Sequence, residues 1–213
     1  MSPVVAPPSD SGGDLRARIL KAAHDLFTKQ GFQSTTTKEI SARAKVAEPT
    51  VFRHFGSKVE LFEASILEPF NRVVDEWTRS WDATPTEITL EQLAEDLVDG
   101  LYTLIWEDRR IFRELMAARS DPQSALHQSA VAISAQFREG FSAVLDVGVD
   151  IARARELVYV DPPATIGAVA SMIIGSVLLG DWAYPANRRT PGRTRMVREM
   201  ARLIVDGIAH RHS

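Results

Sequence analysis

The residues of this 213-residue chain best suited to chemistry gather in one stretch, Gly31 to Leu61, which reads GFQSTTTKEISARAKVAEPTVFRHFGSKVEL. Ile40, Ala44, Val46, Val51 and Phe55 form a small apolar core at helical spacing, which turns Thr50, Phe52, Arg53 and His54 outward. Hydroxyl, aromatic and basic side chains on so short a helix suit the major groove of duplex DNA, about 12 Å wide. Lys45 adds a cation in the turn before that helix, and Lys58 adds one after it. Thr36 and Lys38 stand at a helix start, where unpaired N–H groups and the positive dipole end favour phosphate. Ser41, Ala42 and Ala44 are small enough for two helices to cross closely, as a helix-turn-helix requires. Glu48 would repel phosphate; it either accepts from a cytosine amino group or plays no part, and the second reading is preferred.

Other chemistries find no foothold. The chain has no cysteine, which removes disulfides, thiolate metal sites and cysteine nucleophiles. Gly56-Ser57-Lys58 is not a phosphate-binding loop, and there is no Gly-x-Ser-x-Gly elbow. His24, His127, His210 and His212 show no HExxH pairing. The expectation is a protein without enzymatic activity, cofactor or metal.

The elements that must position these residues all carry helical period, so the fold expected is all-α with about nine helices. Asp14 caps a first helix that buries Leu15, Ile19, Ala22, Ala23, Leu26 and Phe27, and Gly31 ends it. Capping boxes at Thr36–Glu39 and Ser57–Glu60 start the second and fourth helices, and Pro49 suits the first turn of the third. Pro69 interrupts the fourth, most simply as a kink. After a turn at Thr84-Pro85-Thr86, helices are expected over Leu90–Asp108 and Arg109–Arg119, and from Asp121-Pro122 towards Leu145. Gly148 to Asp161 reads as loop plus a short helix. The last two helices are Pro163 to about Tyr184 and Arg193 to about His210, with a loop over Pro185–Gly192 between them. Residues 1–13 read as a disordered leader with no export signal, residues 14–60 as a helix-turn-helix domain, and residues 61–213 as a larger helical body.

Gly31-Phe32, Thr35-Thr36, Ile40, Ala44, Val46, Thr50-Val51-Phe52-Arg53-His54-Phe55, Ser57-Lys58 and Leu61 together resemble the DNA-binding domain of TetR-family (tetracycline-repressor-like) transcriptional regulators. The resemblance covers about a quarter of the chain. It implies a three-helix head, a helical ligand-binding and dimerisation body, and phosphate contact from His54. The family usually has Gly where Lys45 stands, Ser at Ala47, Gly at Pro49 and Tyr at Phe52, so a side-chain cap and a phenolic hydroxyl are missing here. Losing such a cap typically costs about 1 kcal/mol, which the preset backbone of Pro49 offsets in part.

Charge divides along the chain. The net charge is −3 overall, yet residues 1–60 hold nine Lys or Arg against six Asp or Glu, while the remainder holds sixteen against twenty-two. A basic head on an acidic body follows. Within the body, Gly167, Ser171 and Gly175 recur four residues apart with Leu179 in line, leaving one helix flank nearly bare. Met196, Met200, Leu203 and Ile204 belong to an apolar stripe on the last helix, and symmetric pairing of both stripes predicts a homodimer. Trp77, Tyr102, Trp106, Phe137 and Phe141 are candidates to line a cavity for an unidentified small hydrophobic ligand. The uncharged run Pro162–Gly180 reads as a buried helix rather than a membrane span. The resulting expectation is a cytoplasmic, homodimeric regulator, in the role of a repressor, which a ligand releases from a palindromic double-stranded operator. A helical DNA-coating or protein-interaction module without ligand response is the alternative.

Overall fold

A computed structural model describes residues 12–82, 89–154, 161–184 and 189–209. Among these residues there are ten helices and no strand: α1 (Gly12–Ser34), α2 (Thr37–Ala44), α3 (Glu48–Phe55), α4 (Lys58–Asp82), α5 (Leu90–Glu107), α6 (Arg109–Ser120), α7 (His127–Ala154), α8 (Pro162–Leu178), α9 (Gly180–Ala183) and α10 (Arg193–Ala209). Only α9, four residues long, is shorter than two turns. The chain divides into two compact units, Met1–Ile66 and Leu67–Ser213.

The first unit is built on aromatic packing. Ile19, Ala22, Ala23 and Phe27 place one face of α1 in the core. At Gly31 the backbone turns to φ 82°, ψ 170°, a conformation that a Cβ disfavours, so the helix breaks there as its sequence predicts. The break drops Phe32 back onto Phe27 and Phe62, with ring centroids 5.1–6.0 Å apart. Ile40, Val51, Phe55 and Leu61 complete this core.

In the second unit α5 packs against α8 and α10, and α6 lies along α7. Its central core joins Phe70, Val98, Leu101, Tyr102, Ile105, Ile173, Val177 and Met200. Two glycines admit rings that a side chain would displace: Trp77 lies against Gly100, and Phe70 against Gly140. Polar links brace the ends. Arg193 of α10 holds Asp99 of α5 through two bonds, Nε to Oδ1 at 2.9 Å and Nη2 to Oδ2 at 2.5 Å. Arg113 of α6 donates to the Leu178 carbonyl at the end of α8, 3.2 Å away.

Several boundaries differ from those expected. Gly12 and Gly13 belong to α1 rather than to a leader, and Asp14 sits in its first turn instead of capping it. The α4 helix runs through Pro69 without ending. Asp121-Pro122 does not open a helix: the Asp121 carboxylate accepts from the Gln123 N–H in a local turn, and α7 begins at His127. That helix continues past Gly148 to Ala154, because a glycine weakens a helix without stopping it. The helix expected to reach Tyr184 ends at Leu178, where Leu179 leaves helical geometry (φ −111°, ψ 17°) and α9 restarts. A capping box at Thr89 and Gln92, not singled out in the sequence, starts α5. Residues 1–11, the Thr84–Thr86 turn, positions 185–188 of the following loop, and the His210 and His212 tail lie outside the described residues. No helix among the described residues is long and apolar enough to cross a membrane.

Candidate nucleic-acid interface

Two short helices and the turn between them carry the outward side chains. Thr36 caps α2: its hydroxyl accepts from the Glu39 N–H at 3.2 Å, and the Glu39 carboxylate accepts from the Thr36 N–H at 2.8 Å. The Thr36 N–H, joined by its hydroxyl and by Gln30, holds the Glu39 carboxyl below its ordinary range. The Thr36 hydroxyl, counted from sequence as a DNA contact, is thus already engaged in the cap.

The turn is made by Lys45, which adopts the left-handed conformation (φ 56°, ψ 48°) and donates its N–H to the Ser41 and Ala42 carbonyls. Ala47 precedes α3 without a side-chain cap, and Pro49 stands in the first turn. The helix ends at Gly56, φ 71°, whose N–H donates to the Phe52 carbonyl. Ser57 then accepts from the Glu60 N–H and starts α4.

Three contacts fasten this pair of helices to α1, and a fourth joins the start of α4 to the same unit's core. Arg18 donates to the Ala44 carbonyl at 3.1 Å. Arg43 pairs with Asp25 at 2.7 Å. The Arg16 guanidinium lies 4.9 Å from the Phe55 ring centre, and Lys58 Nζ lies 4.2 Å from that of Phe32. Lys58 therefore also packs on the core it borders, a role beyond phosphate contact. Lys38, Lys45 and Arg53 are exposed, Phe52 is 44% exposed, and Thr50 and His54 are half-buried.

One polar pair escaped the sequence reading. The Thr37 hydroxyl donates to Glu48 Oε1 at 2.5 Å, joining the first residue of α2 to the first residue of α3. Glu48, for which the sequence left a cytosine contact or no part, the second preferred, has a defined place.

Residues 19–65 match the family pattern described as bacterial regulatory proteins, tetR family. Over 51 residues the chain is 53% identical to YvkB of Bacillus subtilis, named as an uncharacterised HTH-type transcriptional regulator. It is 47% identical over 51 residues to Rv3405c of Mycobacterium tuberculosis, an HTH-type transcriptional repressor. Each of these matches takes in 24% of this chain and 27% of the relative, so the likeness to these curated relatives spans about a quarter of their length. Over this N-terminal stretch the chain is similar to the DNA-binding domain of TetR-family regulators. Beyond that domain the likeness is one of fold. The transcriptional regulator FadR of Bacillus subtilis, solved in complex with stearoyl-CoA, superposes with a TM-score of 0.65 over 90% of this chain and 98% of its own, at 15% identity.

The left-handed Lys45 explains why TetR-family sequences usually place Gly there: this backbone costs a side-chain-bearing residue about 1–2 kcal/mol. The uncapped Ala47 is likewise as the sequence implied.

In the second unit the structure sorts the remaining candidates. Trp77, Phe137 and Phe141 pack against the same core that holds Tyr102. Phe137 stacks on Phe112 at 5.4 Å and meets Phe70 edge-on at 4.4 Å. Trp106 stands apart from that core, 47% exposed, between a stacked Tyr102 and the Arg109 guanidinium. Burial raises the Tyr102 hydroxyl pKa.

The expected interface stripe divides too. Gly167, Ser171, Leu179 and Leu203 are exposed, and an added Cβ at Gly167 or Gly175 meets open space. Met200 is only 2% exposed within its own chain's core, and half-buried Met196 accepts a contact from the Tyr184 hydroxyl. The apolar stripe on α10 is wider than one neighbour needs, and the intramolecular core takes these two methionines. Ile204 packs on the same core while bordering a groove with Leu203, Gly207 and the α8 residues Thr165, Ala168, Val169 and Met172.

Proposed function

We propose that this chain is a homodimeric transcriptional regulator that represses by binding a palindromic operator and leaves it when a small hydrophobic ligand occupies the second unit. The observation that carries the reading is the short α3, held at a fixed turn by Lys45, with Phe52 and Arg53 exposed and Thr50 beside them. Helix-turn-helix dimers insert such helices into successive major grooves about 34–36 Å apart. Lys38, Lys45 and Lys58 supply phosphate contacts, and His54 a further one. A relative named as a repressor supports the sign of regulation.

Pairing through the small-residue flank of α8 and the exposed Leu203 of α10 brings two heads together. The chain works in the cytoplasm, where its DNA is. The ligand occupies the region of Trp77, Tyr102, Phe137 and Phe141, with Trp106 at its edge. A fatty acyl thioester bound to a protein of the same fold supports an apolar, elongated ligand.

Selection of bound DNA from a random pool is the deciding experiment. An inverted repeat is expected, and recovery of sequences without a shared motif overturns the reading in favour of DNA coating, whose affinity is wholly electrostatic. Acyl-CoAs, free fatty acids and hydrophobic antibiotics are then tested for release of that operator. A releasing compound must bind less tightly in the presence of operator by the same factor.

A further inference from the structure

We propose that Glu48, held in place by Thr37, selects one base pair of the operator by accepting a hydrogen bond from a cytosine amino group. The proposal rests on the DNA-binding reading above and adds a residue and a base to it. It starts from the bond between Thr37 Oγ1 and Glu48 Oε1, which fixes the carboxylate at the first turn of α3. The N-terminal residues of a recognition helix are those that reach base edges in the major groove. Glu48 is half-buried, and no ion pair among the described residues neutralises it.

A structural tie alone does not need a charge. A glutamine in the same place would accept from Thr37 equally well and would not repel phosphates. The anion is therefore unfavourable on DNA unless something opposite it donates. Thr37 occupies Oε1 and leaves Oε2 for a second donor, since a carboxylate has about four acceptor positions. In the major groove guanine offers N7 and O6, thymine offers O4 and a methyl group, and adenine offers N7 beside its amino group. Cytosine alone presents an amino donor without an acceptor on the same base. A fixed carboxylate accepts from that edge and is repelled by the others, so it acts by rejection as much as by attraction.

The test is selection from a random DNA pool with four full-length proteins: wild type, Glu48→Gln, Thr37→Val and Thr37→Ser. Thermal melts accompany each, so that folded variants are compared. Wild type is expected to fix one C·G pair in each half-site. Glu48→Gln should move that one position towards A·T, since an amide pairs with adenine, and leave the rest of the motif intact. Thr37→Val should relax the same position, with discrimination falling roughly tenfold, the scale of a single good base contact. Thr37→Ser, which keeps the hydroxyl, should retain it. If Glu48→Gln binds every sequence more tightly with its motif unchanged, the carboxylate is only a repulsive charge and the proposal falls. A changed base preference at several positions in Glu48→Gln, or none in Thr37→Val, overturns it too. If wild type selects no motif at all, the DNA-binding reading itself falls, and this inference with it.

Discussion

Arg53 and Lys45 are exposed cations a few residues apart, yet their substitution should be felt differently. Arg53 projects from the last turn of α3 with no local bond to hold it, as a base reader must. Arg53→Ala is expected to weaken operator binding by about 1–3 kcal/mol and to relax one base position, measured by fluorescence anisotropy on operator and single-site variants. Lys45 is tied to the backbone problem of the turn. Lys45→Gly relieves a left-handed residue of about 1–2 kcal/mol but returns part as chain entropy, about 0.5–1 kcal/mol. A net gain of about 0–1.5 kcal/mol in stability is expected by calorimetry, together with weaker binding to all DNA sequences. Pro49 is a place where local chemistry was readable, because its fixed backbone suits the first turn of a helix, whereas nothing in the residue type of Lys45 announces its left-handed turn. Glu48 was not readable. Its partner Thr37 lies eleven positions away, and nothing in either residue type announces a bond across a corner. At acidic pH the Glu39 cap is the residue to watch. Its carboxyl is held below the ordinary glutamate value of 4.5, so its contribution to stability is complete above that value and lost as pH falls through the lower folded-state value. Melting curves of wild type and Glu39→Gln should therefore differ at neutral pH and converge once the pH has fallen below the lowered folded-state value.

Two glycines of α7 make opposite predictions within one helix. A Cβ on Gly140 falls 2.7 Å from the ring of Phe70, and that ring is wedged by Phe137 and Phe141 and cannot swing away. Overpacking of this kind costs about 1–3 kcal/mol, which exceeds the roughly 1 kcal/mol that alanine gains in helix propensity. Gly148 meets nothing within 4 Å, so Gly148→Ala should keep that whole gain. Thermal denaturation of the two variants should thus move the melting temperature in opposite directions. The contrast shows how far elements can be read in advance. Periodicity located α5, α6 and α10 within a few residues, because each has a continuous apolar face and a clear start. It misplaced the start of α7 and stopped it too early. Asp121-Pro122 has the composition of a helix opening but spends its carboxylate on a local turn, and Gly148 has the composition of an ending but only a propensity cost. Which glycines receive a ring is a matter of packing between helices, and sequence spacing does not contain it.

At the scale of the molecule, the small-residue flank of α8 is where assembly can be interrogated without disturbing the fold. Gly175 has open space where a Cβ would stand, so Gly175→Leu should leave the chain folded while blocking the approach of a second copy. Monomers are expected in sedimentation velocity, with loss of operator binding because one half-site alone is too weak. A dimer that persists in this variant places the pairing surface elsewhere. Met200→Ala should instead reduce stability by about 2–5 kcal/mol, the usual cost of emptying a buried site, since that side chain belongs to its own chain's core. The sequence could not separate these two faces of α10. Its apolar stripe is continuous, and only the packing of α5 and α8 decides which part remains outside.

The clasp between Asp99 and Arg193 joins positions 94 residues apart, and α10 is the partner against which α5 lies. Chains emerge from the ribosome amino end first, at about 5–20 residues per second. The first unit ends at Ile66 and holds its aromatic core within its own span, so it has what it needs to fold early. The second cannot close until α10 has been made, roughly 7–30 s later at that pace. During that interval each new chain carries a finished head beside an unfinished body whose apolar surface is still uncovered, and this period of synthesis is when the protein is most exposed to aggregation and to chaperones.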